Sequence, residues 1–386
     1  MRVALFVLCA LLAGAVRGSP HADLIEKLQK SSVTRISNNI FEDAMLDVPD
    51  LVRKSYIAFP HGRDRYNKPG PRPVVFLMHG LLSSSADWVI TGPGCALGYL
   101  LVEEGFDVWM GNARGNYYSR RHERFNPSSV LNTDFWEFSW DEIGNIDLPT
   151  MIDYVLKISG RDRLHYVGHS QGTTSFWVMT SLRPEYNAKI VSMHAFAPVA
   201  YMAHNRNPLF LFLAPFGNNI EKILSVIGFG EFLPNSDAMS WLGRILCQDE
   251  ATFQPLCTNI LFLVGGINHD EHNSTLIPLK LGHTPAGAAA RQFVHYGQGI
   301  TAKQFRRYDH GSRIANRRVY GSREPPQYSL SRNHCAKLGR PVGKFLIPMP
   351  TFSHLDYIWG INAKDLLYTR TINLIKSMET HSFAEE

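Results

Sequence analysis

The sequence predicts an α/β fold, a mostly parallel and doubly wound sheet that carries an inserted, mainly helical cap. Continuous apolar runs of strand length alternate with helical stretches, which is the pattern of a sheet buried on both faces. Between about 204 and 300 the alternation stops and the chain becomes rich in Phe, Leu and Pro, which indicates an insertion. The 386 residues exceed one average domain but suit a single core with such a cap.

Five apolar runs are expected to form strands, and two stretches between them are expected to form helices. The predicted strands cover 72–80, 106–110, 164–167, 190–196 and 344–349. The predicted helices cover 148–158 and 173–182. After the leader, this order divides the chain into a first core part over 19–203, the cap over 204–300 and a second core part over 301–386.

The first 18 residues have the features of a signal peptide. Arg2 precedes an apolar run from Val3 to Val16, and the small residue Gly18 offers a cleavage site. A membrane anchor is the alternative, but a helix needs about 20 apolar residues to span a bilayer and this run is shorter. We therefore expect a secreted or lysosomal protein with no transmembrane segment.

In the oxidising secretory route, cysteine pairs are expected to form disulfides. Cys9 lies in the leader, and among the remaining cysteines Cys247 and Cys257 are spaced to close a small loop. Asn273 begins an Asn-Ser-Thr sequon, which predicts N-glycosylation on an exposed loop. The formal charge of +5 arises from basic residues interspersed with acids, which argues against nucleic-acid binding.

The chemistry of the chain is concentrated in a G-x-S-x-G motif, Gly168-His169-Ser170-Gln171-Gly172, between a predicted strand and a predicted helix. A serine on such a strained turn projects into a cleft at the carboxyl edge of the sheet. Glycines at both flanks, Gly168 and Gly172, let the strand and the helix approach without a Cβ clash. An ordinary strand-to-helix turn is the alternative interpretation, but the context favours Ser170 as a nucleophile.

A serine nucleophile needs a base and donors for the oxyanion that forms when an ester carbonyl is attacked. His79-Gly80-Leu81-Leu82 follows a buried strand, so the backbone N–H of Leu81 can supply one donor and that of Gln171 the second. The alternative is that His-Gly is only a turn. For the base, the order nucleophile, acid, histidine points to a histidine late in the chain. His354 fits this order because it follows the last predicted strand.

Together these motifs resemble the acid lipase family, the group of gastric and lysosomal lipases and their insect relatives. The resemblance covers most of the chain and rests on the segments 79–82, 111–116, 135–139, 147–149, 164–172 and 354–360. It implies an α/β-hydrolase fold with a lid over the site and no cofactor. It also implies hydrolysis of acylglycerols or sterol esters at a lipid-water interface, with Ser170 and His354 in the triad.

The chain departs from the family pattern in two places. Around 52–57 it lacks a segment that would form much of an N-terminal β-hairpin. Between Leu330 and Lys344 the family has a strand, a turn with the catalytic aspartate and a helix, whereas residues 331–343 of this chain contain neither Asp nor Glu. The triad acid is therefore unknown.

Two other carboxylates are candidates for the triad acid, and neither can be assigned this role. Asp356 lies too close to His354 in sequence to orient its ring, and Asp309 stands in no motif. Two functions follow: a serine ester hydrolase, weakened by the absent carboxylate, or a catalytically impaired lipase-like protein that binds lipid. A third possibility is that both gaps are omissions from this version of the chain, such as skipped coding segments. The intact Ser170 and His354 favour the hydrolase.

Two further clusters have simpler explanations than ligand binding. His269-Asp270-Glu271-His272 contains metal-ligating residue types, but no zinc-site spacing completes it, so we expect a solvated cap loop and no metal site. The aromatic run from Phe135 to Trp140 could line a ligand pocket. Aromatic residues at this density favour core packing instead.

Overall fold

The computed structural model describes residues 56–58, 72–129, 133–207, 210–211, 230–232, 265–266, 268, 270–329 and 343–382. Several predictions fall on the other residues. These are the leader at 1–18, the disulfide between Cys247 and Cys257, most of the cap, and nearly all of the departure between Leu330 and Lys344.

A five-stranded sheet in the order β1-β3-β2-β4-β5 forms the core. The strands are β1 (Tyr56–Ala58), β2 (Val74–Met78), β3 (Asp107–Gly111), β4 (Leu164–His169) and β5 (Ile190–Phe196). β2 pairs in parallel with β3 and β4, and β4 pairs in parallel with β5, whereas β1 pairs with β3 antiparallel. The predicted parallel sheet is confirmed, and β1 was not predicted. A separate antiparallel pair joins β6 (Glu231–Phe232) to β7 (Ala288–Ala289).

Helices connect and flank these strands. The α-helices are α1 (Leu97–Glu103), α2 (Trp140–Glu142), α3 (Leu148–Ser159), α4 (Gln171–Leu182), α5 (Ile277–His283), α6 (Ala290–Ala302), α7 (Arg313–Tyr320), α8 (Asp356–Trp359) and α9 (Thr369–Ser382). Wider π-helical turns at Ile143–Asp147 and Lys364–Tyr368 precede α3 and α9, and 3-10 turns occur at Ser85–Trp88, Asp134–Trp136, Pro184–Lys189 and Ser274–Leu276. None of the helices in these described stretches is long and apolar enough to cross a bilayer.

The apolar face of α3 explains why it packs on the sheet. Its buried residues Leu148, Met151, Ile152 and Val155 recur at intervals of three and four, which places them on one side of a helix. They share a core cluster with side chains of the strands, and all five residues of β2 and all six of β4 are buried. Strands buried on both faces are the reason that the continuous apolar runs could be recognised in the sequence.

The aromatic run also belongs to the core. Phe135, Trp136, Phe138 and Trp140 are all buried, and the first three lie in the same cluster as α3. Their rings contact one another, with 4.8 Å between the ring centroids of Phe135 and Trp136. The prediction that these aromatics serve packing is confirmed.

The prediction of a strand at 344–349 is wrong. These residues form no strand, and Leu346 is 90% exposed while Phe345 is 44% exposed. A strand needs a neighbour to satisfy its backbone N–H and C=O groups, and β5 ends the sheet among the residues that the structure describes. Helix α9 instead reaches the strands near this edge, where Glu379 accepts a hydrogen bond from His165 Nε2 at 2.8 Å.

Candidate active site

Ser170 occupies the turn between β4 and α4. Its backbone has φ 51° and ψ −116°, a conformation that places the side chain at the tip of the turn. The N–H of Ser170 donates to the carbonyl of Phe196 at the end of β5 (3.0 Å), and the carbonyl of Ser170 accepts from Thr173 N (2.9 Å) and Thr173 Oγ1 (2.6 Å). The turn is therefore anchored to both neighbouring elements.

The two flanking glycines permit this crossing. A Cβ on Gly168 would lie 2.9 Å from the carbonyl carbon of Gly172, and a Cβ on Gly172 would lie 2.3 Å from the carbonyl oxygen of Met78 at the end of β2. Neither atom can move aside as a flexible side chain would, because one belongs to the main chain of α4 and the other to the main chain of β2. The structure thus gives the glycines the close approach that the motif predicts.

The structure brings His354 to Ser170, although 184 residues separate them. His354 Nε2 lies 2.8 Å from Ser170 Oγ, and the hydroxyl donates when the imidazole is neutral. Burial lowers the pKa of His354 from 6.5 to about 4, so the ring is neutral and able to accept a proton in all but strongly acidic solution. A serine hydroxyl in contact with a neutral imidazole is the arrangement in which a histidine can act as a base.

The loop that carries His354 is held through its backbone. The N–H of His354 donates to the carbonyl of Gly265 at 2.9 Å, and its carbonyl accepts from His169 Nε2, also at 2.9 Å. Asp356 begins α8 directly after this loop, and its Oδ2 accepts from Ser353 N at 2.5 Å and from Asn268 Nδ2 at 2.7 Å. Asp356 therefore secures the loop, and no hydrogen bond between it and the ring of His354 is found.

No carboxylate in the described part of the chain hydrogen-bonds to His354. Asp309 lies in the turn before α7, where Oδ1 accepts from Gly311 N (2.9 Å) and from Asn316 Nδ2 (3.0 Å) and Oδ2 accepts from Arg306 (3.1 Å). Both carboxylates weighed from the sequence thus have other partners.

The residues predicted to supply oxyanion donors are Leu81 and Gln171; Gln171 follows Ser170 directly, and Gly80, next to Leu81, is close enough that a Cβ there would lie 3.1 Å from Ser170 Cβ. Leu81 follows β2 in a tight turn, which closes with Ser83 N donating to the carbonyl of Gly80 at 3.3 Å. Gln171 is the first residue of α4, and the first N–H groups of a helix have no partner within the helix. The side chain of Gln171 is fixed separately, since its Nε2 donates to Gln292 of α6 at 2.6 Å.

A buried pair of charged residues that the sequence did not reveal, Asp87 and Lys280, lies between the turn after β2 and helix α8. Asp87 accepts hydrogen bonds from Ser83, from Thr284 (3.3 Å) and from Trp359 Nε1 (3.2 Å) at the end of α8. Burial raises its pKa to about 6 despite these bonds. Burial also lowers the pKa of Lys280 to about 8, against the opposing effect of Asp87. Asp87 thereby connects the turn that contains Leu81 to the helix after His354.

The remaining residues singled out from the sequence have partners other than Ser170 and His354. Asn273 is partly exposed and precedes a 3-10 turn, and its side chain accepts from Thr275 N at 3.1 Å. Glu271 is buried and accepts from the backbone N–H and the side chain of Asn362 at 2.8 and 2.7 Å, so the prediction of a solvated loop is wrong for this residue. A buried carboxylate with two donors stabilises local structure. Cys95 is an exposed free thiol.

Comparisons with known proteins agree with this architecture. The family model described as alpha/beta hydrolase fold matches residues 73–216. Lipase 1 of Drosophila melanogaster is 37% identical over 379 residues, 87% of this chain and 81% of that protein. Lipase 3 of the same organism is 39% identical over 330 residues, 80% of this chain and 83% of that protein.

More distant relatives extend the match. The human lysosomal acid lipase/cholesteryl ester hydrolase is 35% identical over 343 residues, 83% of this chain and 84% of that protein. A crystal structure of a Sulfolobus solfataricus protein superposes with a TM-score of 0.52 at 13% identity, over 83% of this chain and 93% of that one, which shows the fold alone. Because relatives above 30% identity are matched over most of their length, the chain belongs to the acid lipase family of the α/β-hydrolase superfamily.

Proposed function

We propose that this chain is a serine ester hydrolase that cleaves acylglycerols or sterol esters through an acyl-enzyme on Ser170. The observation that carries the proposal is the 2.8 Å contact between Ser170 Oγ and His354 Nε2 at a strand-turn-helix elbow. Homology to lipases and a cholesteryl ester hydrolase supports the substrate class.

In the proposed reaction, His354 takes the hydroxyl proton as Ser170 Oγ attacks the ester carbonyl. The backbone N–H groups of Leu81 and Gln171 stabilise the oxyanion, and the imidazolium then protonates the leaving alcohol. Water attacks the acyl-enzyme with His354 again as base, which releases the fatty acid and restores Ser170. The proposal requires no cofactor and no metal.

We expect turnover of esters by this chain to be slower than in other members of the family, because no carboxylate among the described residues orients His354 or stabilises its imidazolium. Loss of the triad carboxylate costs about 10⁴-fold in turnover in serine proteases. That factor corresponds to about 5.5 kcal/mol of transition-state stabilisation. The same observation favours a second candidate function, a lipase-like protein that binds lipid without efficient turnover.

We further propose that the chain is secreted or lysosomal, with residues 1–18 as its signal and Asn273 glycosylated. Residues 204–300 would form the cap between the core parts 19–203 and 301–386, with Cys247 and Cys257 joined within it. The described start of the cap supports a role at lipid surfaces: Phe210 packs against Phe293 at 6.0 Å between ring centroids, while its neighbour Leu211 is 45% exposed.

The test of the nucleophile is Ser170→Ala, measured as turnover of a soluble short-chain ester and as covalent labelling by an organophosphorus probe. We expect both to disappear. Ser175→Ala is the matched control, because this buried serine of α4 has no hydrogen-bond partner for its Oγ among the described residues and should leave both readouts unchanged. Labelling that survives in Ser170→Ala would refute the assignment.

A second experiment separates the hydrolase from the lipid-binding protein. The acid-bearing segment of a relative is inserted after Leu330, and turnover of lipid esters by the two purified proteins is compared. We expect the inserted form to be faster by up to about 10⁴-fold. If the unmodified chain folds and already turns over lipid esters as fast as the inserted form, another carboxylate fills the role. A transcript that reads through this junction into a longer form would explain the gap as an omission.

A further inference from the structure

His169, the second residue of the G-x-S-x-G motif, reaches across the site to the loop of the base. Its Nε2 lies 2.9 Å from the carbonyl oxygen of His354, and the centroids of the two imidazole rings are 5.0 Å apart. A carbonyl oxygen can only accept, so Nε2 of His169 carries the proton and donates. The residue next to the proposed nucleophile therefore holds the main chain of the proposed base.

This bond completes a clamp on the peptide groups at both sides of His354. The N–H of His354 donates to the carbonyl of Gly265 at 2.9 Å, and its carbonyl accepts from His169. The imidazole ring itself has its Nε2 on Ser170 Oγ and no carboxylate partner among the described residues. Within the described part of the chain, the hydrogen bonds of the His354 backbone are therefore the ones that hold this ring over Ser170.

We propose that His169 is a positioning residue that keeps the imidazole of His354 on Ser170 through the backbone, in part compensating for the carboxylate that orients the ring elsewhere in the family. The inference rests on the proposed hydrolase function. His169 restrains position only, since a neutral donor to the carbonyl does not stabilise the imidazolium.

The surroundings of His169 argue against a role in packing alone. Its Nδ1 is buried and has no hydrogen-bond partner among the described residues, an unfavourable state that an apolar side chain of similar size would avoid. The space for this nitrogen exists because residue 80 is a glycine: a Cβ there would lie 3.1 Å from His169 Nδ1 and 3.1 Å from Ser170 Cβ. Burial, together with the neighbouring His354, lowers the pKa of His169 to about 3, so the donor stays neutral while the base works.

The experiment compares His169→Leu, which removes the donor, with His169→Gln, whose Nε2 lies at the same number of bonds from Cα and keeps an N–H. We expect His169→Leu to lower kcat on a soluble ester by up to about 100-fold, with KM within twofold, because small displacements of a base reduce rate steeply. His169→Gln should recover most of the loss. His165→Leu is the control, since His165 is also buried in β4 but binds Ser192 and Glu379.

A structural readout keeps this inference separate from the esterase assignment. Crystal structures of the variants should show His354 Nε2 within hydrogen-bonding distance of Ser170 Oγ in His169→Gln and displaced from it in His169→Leu. If the ring moves but the wild-type protein has no Ser170-dependent turnover, positioning stands and the esterase function fails. If the ring stays in place in His169→Leu, or His169→Gln loses as much kcat, the inference is overturned. Should His169→Leu not fold, His169→Asn, whose amide stops short of the carbonyl, replaces it with the same expected outcomes.

Discussion

Substituting Gly172 by alanine tests the packing of the elbow against a simple expectation from helix propensity. Gly172 is the second residue of α4, and replacing a helical glycine by alanine stabilises a protein by about 0.5–1 kcal/mol where space allows. The structure predicts the opposite result, because the new Cβ would lie 2.3 Å from the carbonyl oxygen of Met78 and 3.0 Å from that of His79. Both are main-chain oxygens, one in the last residue of β2 and one in the residue after it, so neither can move as a flexible side chain would.

Overpacking costs about 1–3 kcal/mol, and we expect the upper part of that range because no flexible side chain can yield. The assay is urea unfolding, in which the midpoint should fall while the slope stays constant. Widening the elbow also displaces Ser170, so kcat on a soluble ester should fall by about 10²-fold for a 1 Å shift. Gly299→Ala in α6 is the control and should raise stability, since its Cβ would lie 3.5 Å from the side chain of Met202 and 3.9 Å from the carbonyl oxygen of Gln304, both ordinary contact distances. A Gly172→Ala protein as stable as the wild type would refute the steric argument.

Three other predictions concern acid, buried charge and the lipid surface. Because burial lowers the pKa of His354 to about 4, kcat/KM on a soluble ester should decline only below that pH, and an acid limb near 6.5 would contradict the assignment. Burial raises the pKa of Asp87 from 3.8 to about 6, so its contribution to stability is fully present below pH 3.8 and is lost as the pH rises through about 6. In Asp87→Asn, the free energy of unfolding should no longer show this fall between pH 4 and 7. A pH dependence unchanged from that of the wild-type protein would count against the prediction. Leu211→Ser should reduce activity on emulsified esters more than on soluble ones, whereas Val319→Ser, at a similarly exposed position, should not; equal loss on both substrates would disprove the interfacial role.

Sequence patterns were informative where local geometry determines the outcome. The runs of β2 and β4 are apolar because both faces of the sheet are covered. The G-x-S-x-G motif is recognisable because main-chain atoms lie too close to its two glycines for a side chain to fit. The contact between Ser170 and His354 followed from the order of residues that this fold imposes. These features could be predicted without knowing any other contact.

Features that depend on distant partners escaped prediction. The run at 344–349 has the composition of a strand, but composition does not supply the neighbouring ladder that a strand requires. β1 has only three residues and exists through its pairing with β3. Asp87 and Lys280 look like surface residues in the sequence, and only the folded chain brings both into the interior. The bond from His169 to the carbonyl of His354 likewise requires the loop to be in place.

The backbone of Ser170 has an evolutionary consequence. A residue with a side chain rarely adopts φ 51° with ψ −116°, and holding such a conformation costs about 1–3 kcal/mol. Glycine at this position would relieve the strain and remove the hydroxyl in the same step. Selection for heat resistance and selection for the proposed ester turnover therefore act in opposite directions on position 170. A library screened only for survival of heating should drift towards glycine there, and that drift would support Ser170 as the proposed nucleophile without any substrate being added.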